Sequence, residues 1–323
     1  MWATRALCRV GFLRLCLLMG MAACSSEEPE SPPTCGPGTA TALTTLHGYI
    51  AFVADGPLGA VCPDGTDLRS SLGLTLDTGL PFYFDVSPDG RQVLVSYSQA
   101  GRAFDLFDVT TGSLTHLSVP VPSDSPAPPE PTTLFDATWS RDGQRVAYVV
   151  GLSEVVTGEV SGGAVINPRL QANYTGTQPT YTFEYLDWSP QGDLIAYPGT
   201  LHFGFGGVSL LYVDNPGHFI GRIDPSQPLN AEMGAVEWSP DGTHLAYDTC
   251  CSASRIWIMK NDGASAVPLT TGDADVSPSW SPDGAQLAFV RSGDIWIVPV
   301  DGGSEHRIAD LAAASASQVQ WVW

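Results

Sequence analysis

The sequence predicts an all-β chain folded as a six-bladed β-propeller of four-stranded antiparallel blades. Three observations carry that expectation. A short turn phrase recurs five times, each copy is followed by the same succession of hydrophobic and alternating runs, and the two ends of the repeated region are incomplete in complementary ways. Composition agrees: the 323 residues are 43% hydrophobic and 15% charged, with 34 Gly and 26 Pro, which suits short strands joined by tight turns and leaves little for long helices.

In chain order, residues 1–23 read as a signal peptide. Arg5, Arg9 and Arg14 precede an apolar run from Leu15 to Ala23 that is too short to span a bilayer. The run ends in Met21-Ala22-Ala23-Cys24, which resembles the bacterial lipobox, with Met21 where Leu is usual. That resemblance implies a diacylglycerol thioether on Cys24, whose acyl chains bury methylenes at ~0.8 kcal/mol each. Residues 24–45 then form a tether. Ser25 to Pro33 is polar, acidic and proline-rich, with nothing to bury.

Cys8 and Cys16 leave with the signal, so Cys35, Cys62, Cys250 and Cys251 remain in an oxidising compartment and permit three pairings. We favour Cys35 with Cys62, tying the tether to the first blade. Cys250 and Cys251 are adjacent and either bond each other or take separate partners.

Residues 46–323 carry the repeat. The phrase reads Val86-Ser87-Pro88-Asp89-Gly90, Trp139-Ser140-Arg141-Asp142-Gly143, Trp188-Ser189-Pro190-Gln191-Gly192, Trp238-Ser239-Pro240-Asp241-Gly242 and Trp280-Ser281-Pro282-Asp283-Gly284. Its serines are 53, 49, 50 and 42 residues apart, the period of one four-stranded blade with variable loops. Pro presets φ for the first central turn position, Asp suits the next, and Gly accepts positive φ. After each turn comes a hydrophobic run such as Leu287-Ala288-Phe289, then an alternating run such as Ile295-Trp296-Ile297-Val298. The Trp before four of the five turns, Val86 standing in the first, recurs at one fixed point, as a core residue packed between neighbouring sheets would.

The ends complete each other. Tyr49 to Val53 matches a strand that should follow a turn phrase, yet none precedes it, and Val319 to Trp323 matches the strand before a turn and has nothing after it. Pairing them closes the ring and removes two exposed sheet edges.

These residues resemble the WD40-like repeat of the TolB-type β-propeller family, above all Trp280-Ser281-Pro282-Asp283-Gly284 with Asp294-Ile295-Trp296-Ile297. The resemblance spans roughly 46–323 and implies protein binding at a propeller face or channel mouth in the cell envelope.

Charge narrows the function. Acidic residues outnumber basic ones 34 to 14, for a net charge of −20, so phosphate backbones are repelled and nucleic acid is excluded as a partner. There is no Gly-x-Ser-x-Gly elbow, no His-Glu-x-x-His helix and no phosphate-cradling Gly-Lys loop. His47, His116, His202, His218, His244 and His306 fall at unrelated repeat positions, and neither a metal nor a cofactor is expected.

One constellation stands out. The residue before the aromatic position is Asp85, Thr138, Asp187, Glu237, Ser279 and Gln320 in the six blades. On the innermost strand, Asp85, Asp187 and Glu237 would either face the channel, where they could hold a cation or a partner's basic group, or hydrogen-bond the neighbouring blade. Two insertions, 119–131 and 154–181, read as surface loops. The resulting expectation is a monomeric, noncatalytic binding or scaffolding module, lipid-anchored in the bacterial envelope, with the propeller in the periplasm or at the cell surface and an envelope protein as partner. The alternative is a hydrolase or lyase with a channel-mouth site acting on peptides or glycans.

Overall fold

The computed structural model describes residues 35, 43–75, 82–97, 99–100, 103–123, 133–151, 154–173, 185–201, 205–214, 219–223, 233–249, 253–311 and 314–322. The expected signal peptide 1–23, Cys24, most of the tether, Cys250, Cys251, and residues 124–131 and 174–181 of the two insertions lie outside the described residues. Among the described residues every regular element is a strand, and no helix is long and apolar enough to cross a membrane.

The strands are β1 (Ile50–Ala54) and β2 (Leu58–Val61), then β3 (Phe82–Val86), β4 (Gln92–Tyr97), β5 (Gln99–Ala100), β6 (Ala103–Asp108) and β7 (Leu114–Ser118). Next come β8 (Thr133–Trp139), β9 (Arg145–Val150), β10 (Glu154–Ser161) and β11 (Ala164–Asn173), followed by β12 (Asp187–Trp188), β13 (Leu194–Leu201), β14 (Phe205–Tyr212) and β15 (Phe219–Ile223). The last are β16 (Met233–Trp238), β17 (His244–Thr249), β18 (Ile256–Lys260), β19 (Val267–Pro268), β20 (Asp275–Trp280), β21 (Gln286–Arg291), β22 (Asp294–Pro299), β23 (His306–Ala309) and β24 (Ala316–Trp321).

The arrangement is propeller-like, with two differences from the expectation of separate four-stranded blades. Three four-stranded up-and-down sheets stand alone: β12–β15, β16–β19 and β20–β23. The two units β3-β4-β6-β7 and β8–β11 are instead joined in one nine-stranded sheet. A single parallel pairing of Ala164 with Ser118 makes the join, and β5 adds an outer edge strand on β8. Residues 154–173, expected as part of a surface loop, form instead the long β10–β11 hairpin, which pairs backbone to backbone and meets the end of β7 at its tip. At the termini, β24 pairs antiparallel with β1, Trp321 opposite Ile50, so the C-terminal segment supplies the strand that the N-terminal unit lacks. That sheet has three strands; beyond β2 the chain returns alongside through isolated bridges at Arg69 and Thr75. Cys35 and Cys62 form a disulfide that ties residue 35 to the end of β2.

The second strand of each complete unit explains the continuous hydrophobic runs. Val93 to Val95, Val146 to Val150, Leu245 to Tyr247 and Leu287 to Val290 are buried throughout, because a central strand is covered on both faces by adjoining sheets. Six hydrophobic clusters straddle consecutive units. Trp238, Leu245 and Tyr247 pack on Val208 and Leu210 of the preceding sheet. Trp280, Leu287 and Phe289 likewise meet Ala246 and Ile256, and Ile50 and Phe52 meet Val290, Ile295 and Trp321. Trp139, Trp188, Trp238, Trp280 and Trp321 are all buried at these seams.

The turn phrase is a self-contained hydrogen-bond unit. In the first copy the Ser87 hydroxyl donates to Asp89 at 2.6 Å, Asp89 accepts from the Arg91 N–H, Ser87 Oγ accepts from the Gln92 N–H, and Gly90 closes the turn at φ 66°. The same serine-to-aspartate bond recurs at Asp142, Asp241 and Asp283, and it holds those three carboxyls below their usual range. Where Gln191 replaces Asp, Ser189 donates instead to Asp193. These aspartates are committed to turn geometry.

Candidate functional site: the inner strands and the cavity they line

β3, β8, β12, β16, β20 and β24 are the first strands of their units, and consecutive ones lie side by side. Each pairs with its own second strand along one edge, which leaves N–H groups of the other edge without a ladder partner, save at the start of β8, where β5 pairs with Thr133 and Leu134. Buried orphan N–H groups are costly, so acceptors must come from elsewhere.

Side chains of the neighbouring unit supply them. The Trp139 N–H donates to Asp85 at 2.5 Å, the Trp238 N–H to Asp187 at 2.6 Å, and the Trp280 N–H to Glu237 at 3.1 Å. The Trp321 N–H donates to Ser279 Oγ at 2.9 Å, and the Val86 N–H to Gln320 Oε1 at 2.7 Å, which joins the C-terminal strand to β3. A second tier lies two residues earlier on the same strand face: the Leu186 N–H donates to Asp136, the Val319 N–H to Ser277 Oγ, and the Phe84 N–H to Gln318 Oε1. In five of the six units the residue before the aromatic position is thus a latch on the next unit; in the remaining one the Thr138 hydroxyl donates back to Asp85 at 3.0 Å.

The same side chains line the axis. All six latch positions, Asp85, Thr138, Asp187, Glu237, Ser279 and Gln320, border a narrow cavity of about 80 Å³ toward the strand starts, where Tyr83 and Tyr185 meet edge-to-face at 5.2 Å. Toward the turn phrases the space widens to about 420 Å³, rimmed by Pro88, Pro190 and Pro240. Asp85, Asp187 and Glu237 therefore do both things that their sequence position allowed: they border the cavity and bond the adjoining unit.

Their charges are held at a cost. Burial pushes Asp85 up, against the opposing pull of the Trp139 N–H, the Thr138 hydroxyl and the Arg141 charge. Burial pushes Asp187 up to about 6, the charge of Asp85 adding to the effect while Arg141 opposes it. Glu237 is raised well above the usual carboxylate range by burial and then by Asp187. Arg141 is the single basic residue among those bordering the wide cavity, with Nη2 3.9 Å from Asp187 Oδ1.

Sequence reasoning did not single out Arg141. The signal was present: four of the five phrase copies carry Pro88, Pro190, Pro240 and Pro282 at the position where the remaining one has Arg. Asp248 was also missed. It accepts from the Ala235 N–H at 3.1 Å and the Ser277 N–H at 2.8 Å, satisfying irregular stretches of β16 and β20 at once, and burial pushes it up to about 6. The described histidines do not converge: His116 pairs with Asp105 across β6 and β7, and His244 Nδ1 lies 2.7 Å from Thr243 Oγ1; His202 and His218 fall outside the described residues. Among the described residues no three His, Cys, Asp or Glu side chains are grouped to hold a metal ion, and no serine or cysteine side chain is hydrogen-bonded to a histidine.

Comparison with known proteins places the fold. Residues 249–322 match the family model for the dipeptidyl peptidase IV N-terminal region. Over 88 residues the chain is 34% identical to the uncharacterized peptidase YuxL of Bacillus subtilis, covering 23% of this chain and 13% of that protein. Over 60 residues it is 37% identical to the Tol-Pal system protein TolB of Zymomonas mobilis, covering 17% of this chain and 13% of that one. The match thus spans about an eighth of the length of either relative. The crystal structure of TolB from Acinetobacter baumannii superposes with a TM-score of 0.60 at 19% identity, over 85% of this chain and 65% of that one. The fold is TolB-like.

Proposed function

We propose that this chain is a noncatalytic binding or scaffolding module of the bacterial cell envelope, built as a six-bladed propeller over residues 46–323 and held to a membrane by lipid on Cys24. Six inner strands joined in cyclic order, with the last latch running from Gln320 back to Val86, support the blade count, the nine-stranded sheet contributing two blades. The observation that carries the binding reading is the wide cavity at the turn-phrase end. It is about 420 Å³, rimmed by rigid proline turns, and its carboxylates are fixed in place by the neighbouring units. Such a surface is preformed for a projecting group of a partner, and the excess of carboxylates favours a basic one. The TolB-like fold and the TolB relative agree with an envelope location.

Crosslinking of the native membrane-bound protein, followed by mass spectrometry, tests the reading. One envelope protein reproducibly attached at the rim residues supports it, and no partner at saturating crosslinker overturns it. Labelling with radioactive fatty acid tests the anchor: incorporation into the native chain and not into Cys24→Ala is the expected result.

A second reading has a specific observation behind it, the match of residues 249–322 to a peptidase family's N-terminal region together with the relative named as a peptidase. Hydrolysis of peptides by the purified chain, abolished in Asp187→Asn or Glu237→Gln, would establish that reading over the scaffold.

A further inference from the structure

Arg141 breaks a local rule. The first central position of the turn phrase favours proline, whose fixed φ preorganises the turn, and four copies have it. A departure of this kind, without a gain in turn geometry, marks a position selected for its side chain. The break coincides with a second one. Arg141 belongs to the unit whose latch position holds Thr138, while the adjoining units carry Asp85 and Asp187. Its guanidinium bears electrostatically on Asp85, Asp187 and Glu237 together, and it lies 3.9 Å from Asp187 Oδ1. The cation that the structure itself sets beside these carboxyls is a guanidinium, which is planar and delocalised.

We propose that Arg141 is a built-in plug of the wide cavity: a guanidinium supplied by the chain itself occupies the place that a partner's arginine would take, and it yields that place when such a group enters. The inference rests on the reading of the cavity mouth as a docking site. It makes the site one for a single guanidinium-sized cation and gives it an internal competitor. Position favours displacement. Arg141 sits on the turn between β8 and β9 with its side chain 22% exposed and its Nε and Nη2 buried, so its withdrawal moves a turn residue and not a strand, whereas Asp85, Asp187 and Glu237 are anchored by backbone N–H groups. With Arg141 in place one cation stands against Asp85, Asp187 and Glu237, and with it withdrawn no basic side chain among the described residues borders the wide cavity. An incoming arginine side chain restores the balance.

Chemical rescue tests this on the isolated chain, without any partner, so its failure is distinct from failure of the scaffold reading. Thermal unfolding near neutral pH is measured for the native chain, Arg141→Ala, Arg141→Pro and Arg141→Ala/Asp187→Asn, each with millimolar methylguanidinium or equal sodium chloride. Arg141→Pro restores the residue of the other turns, so it separates loss of the cation from damage to the turn. The expected result is a fall of several degrees in both single variants, reversed by methylguanidinium and not by sodium. The native chain and the double variant should respond equally to the two salts. Unchanged melting of Arg141→Pro, absence of rescue, or rescue that persists in the double variant each overturns the proposal.

Discussion

Asp248 should give this protein a stability that rises as the medium is acidified. Its carboxyl is almost fully buried, receives N–H groups from β16 and β20, and is pushed from an ordinary 3.8 up to about 6. For an acid whose folded-state value is raised, the folded chain binds more protons than the unfolded one between the two values, so stability falls as pH climbs through that window and the penalty is complete above it. A shift of about two units corresponds to about 3 kcal/mol between about pH 7 and about pH 4. For a chain of this size that is about 6 °C in melting temperature. Asp248→Asn removes the titration while keeping a carbonyl acceptor. Asp85, Asp187 and Glu237 titrate in both proteins, so they cancel when the two melting curves are subtracted. Urea unfolding at several pH values should show the native chain gaining on the variant as pH falls, by up to about 3 kcal/mol. Parallel curves, or a native chain that loses ground on acidification above about pH 4, would refute the reasoning.

Three further outcomes are expected. Ser279→Ala strands the Trp321 N–H, which donates to Ser279 Oγ at 2.9 Å, and should lower unfolding free energy by about 1–3 kcal/mol in urea titration. Gly234→Ala places a Cβ 2.1 Å from Asp248 Oδ1, so β16 or the Asp248 carboxyl must shift, and thermal unfolding should fall below that of the native chain. Reducing the Cys35–Cys62 disulfide, which spans 27 residues, should lower stability by about 3–4 kcal/mol on the loop-entropy estimate, checked by unfolding with and without reductant.

Much of the fold was legible because its signals are local. A serine, an aspartate two residues on and a glycine at positive φ specify one turn irrespective of what packs on it, and five copies of it set the period. The strand that pairs the ends was legible for the same reason: Val319 to Trp321 has the pattern of an inner strand wherever it falls in the chain. The join between two units was not. It depends on the reach of the β10–β11 hairpin, whose length has no periodic signature. At the cavity, alternation along a strand puts residues one and three before the aromatic position on one face, but it does not say whether that face meets water or a neighbour. Here it meets both, and a sequence has no means of weighting them. Arg141 was missed for a different reason: a residue that departs from a turn consensus reads first as tolerated variation, and its meaning comes from carboxylates on other units.

The latch chemistry itself bears on function. An orphan N–H needs an oxygen, not a charge, and Ser279, Ser277, Gln320 and Gln318 show that a hydroxyl or an amide serves at equivalent junctions. If bonding the next unit were the whole task, neutral acceptors at residues 85, 187 and 237 would perform it without taking three carboxylates out of water. Instead all three are raised by burial, two of them further by each other's field or a neighbour's, and an arginine is spent from a proline turn to oppose them. Charge that a structural role does not require, placed beside an open cavity, is better explained by what enters from outside. That separates Asp85, Asp187 and Glu237 from the neutral latches, and it is why the binding reading is anchored on those three carboxyls.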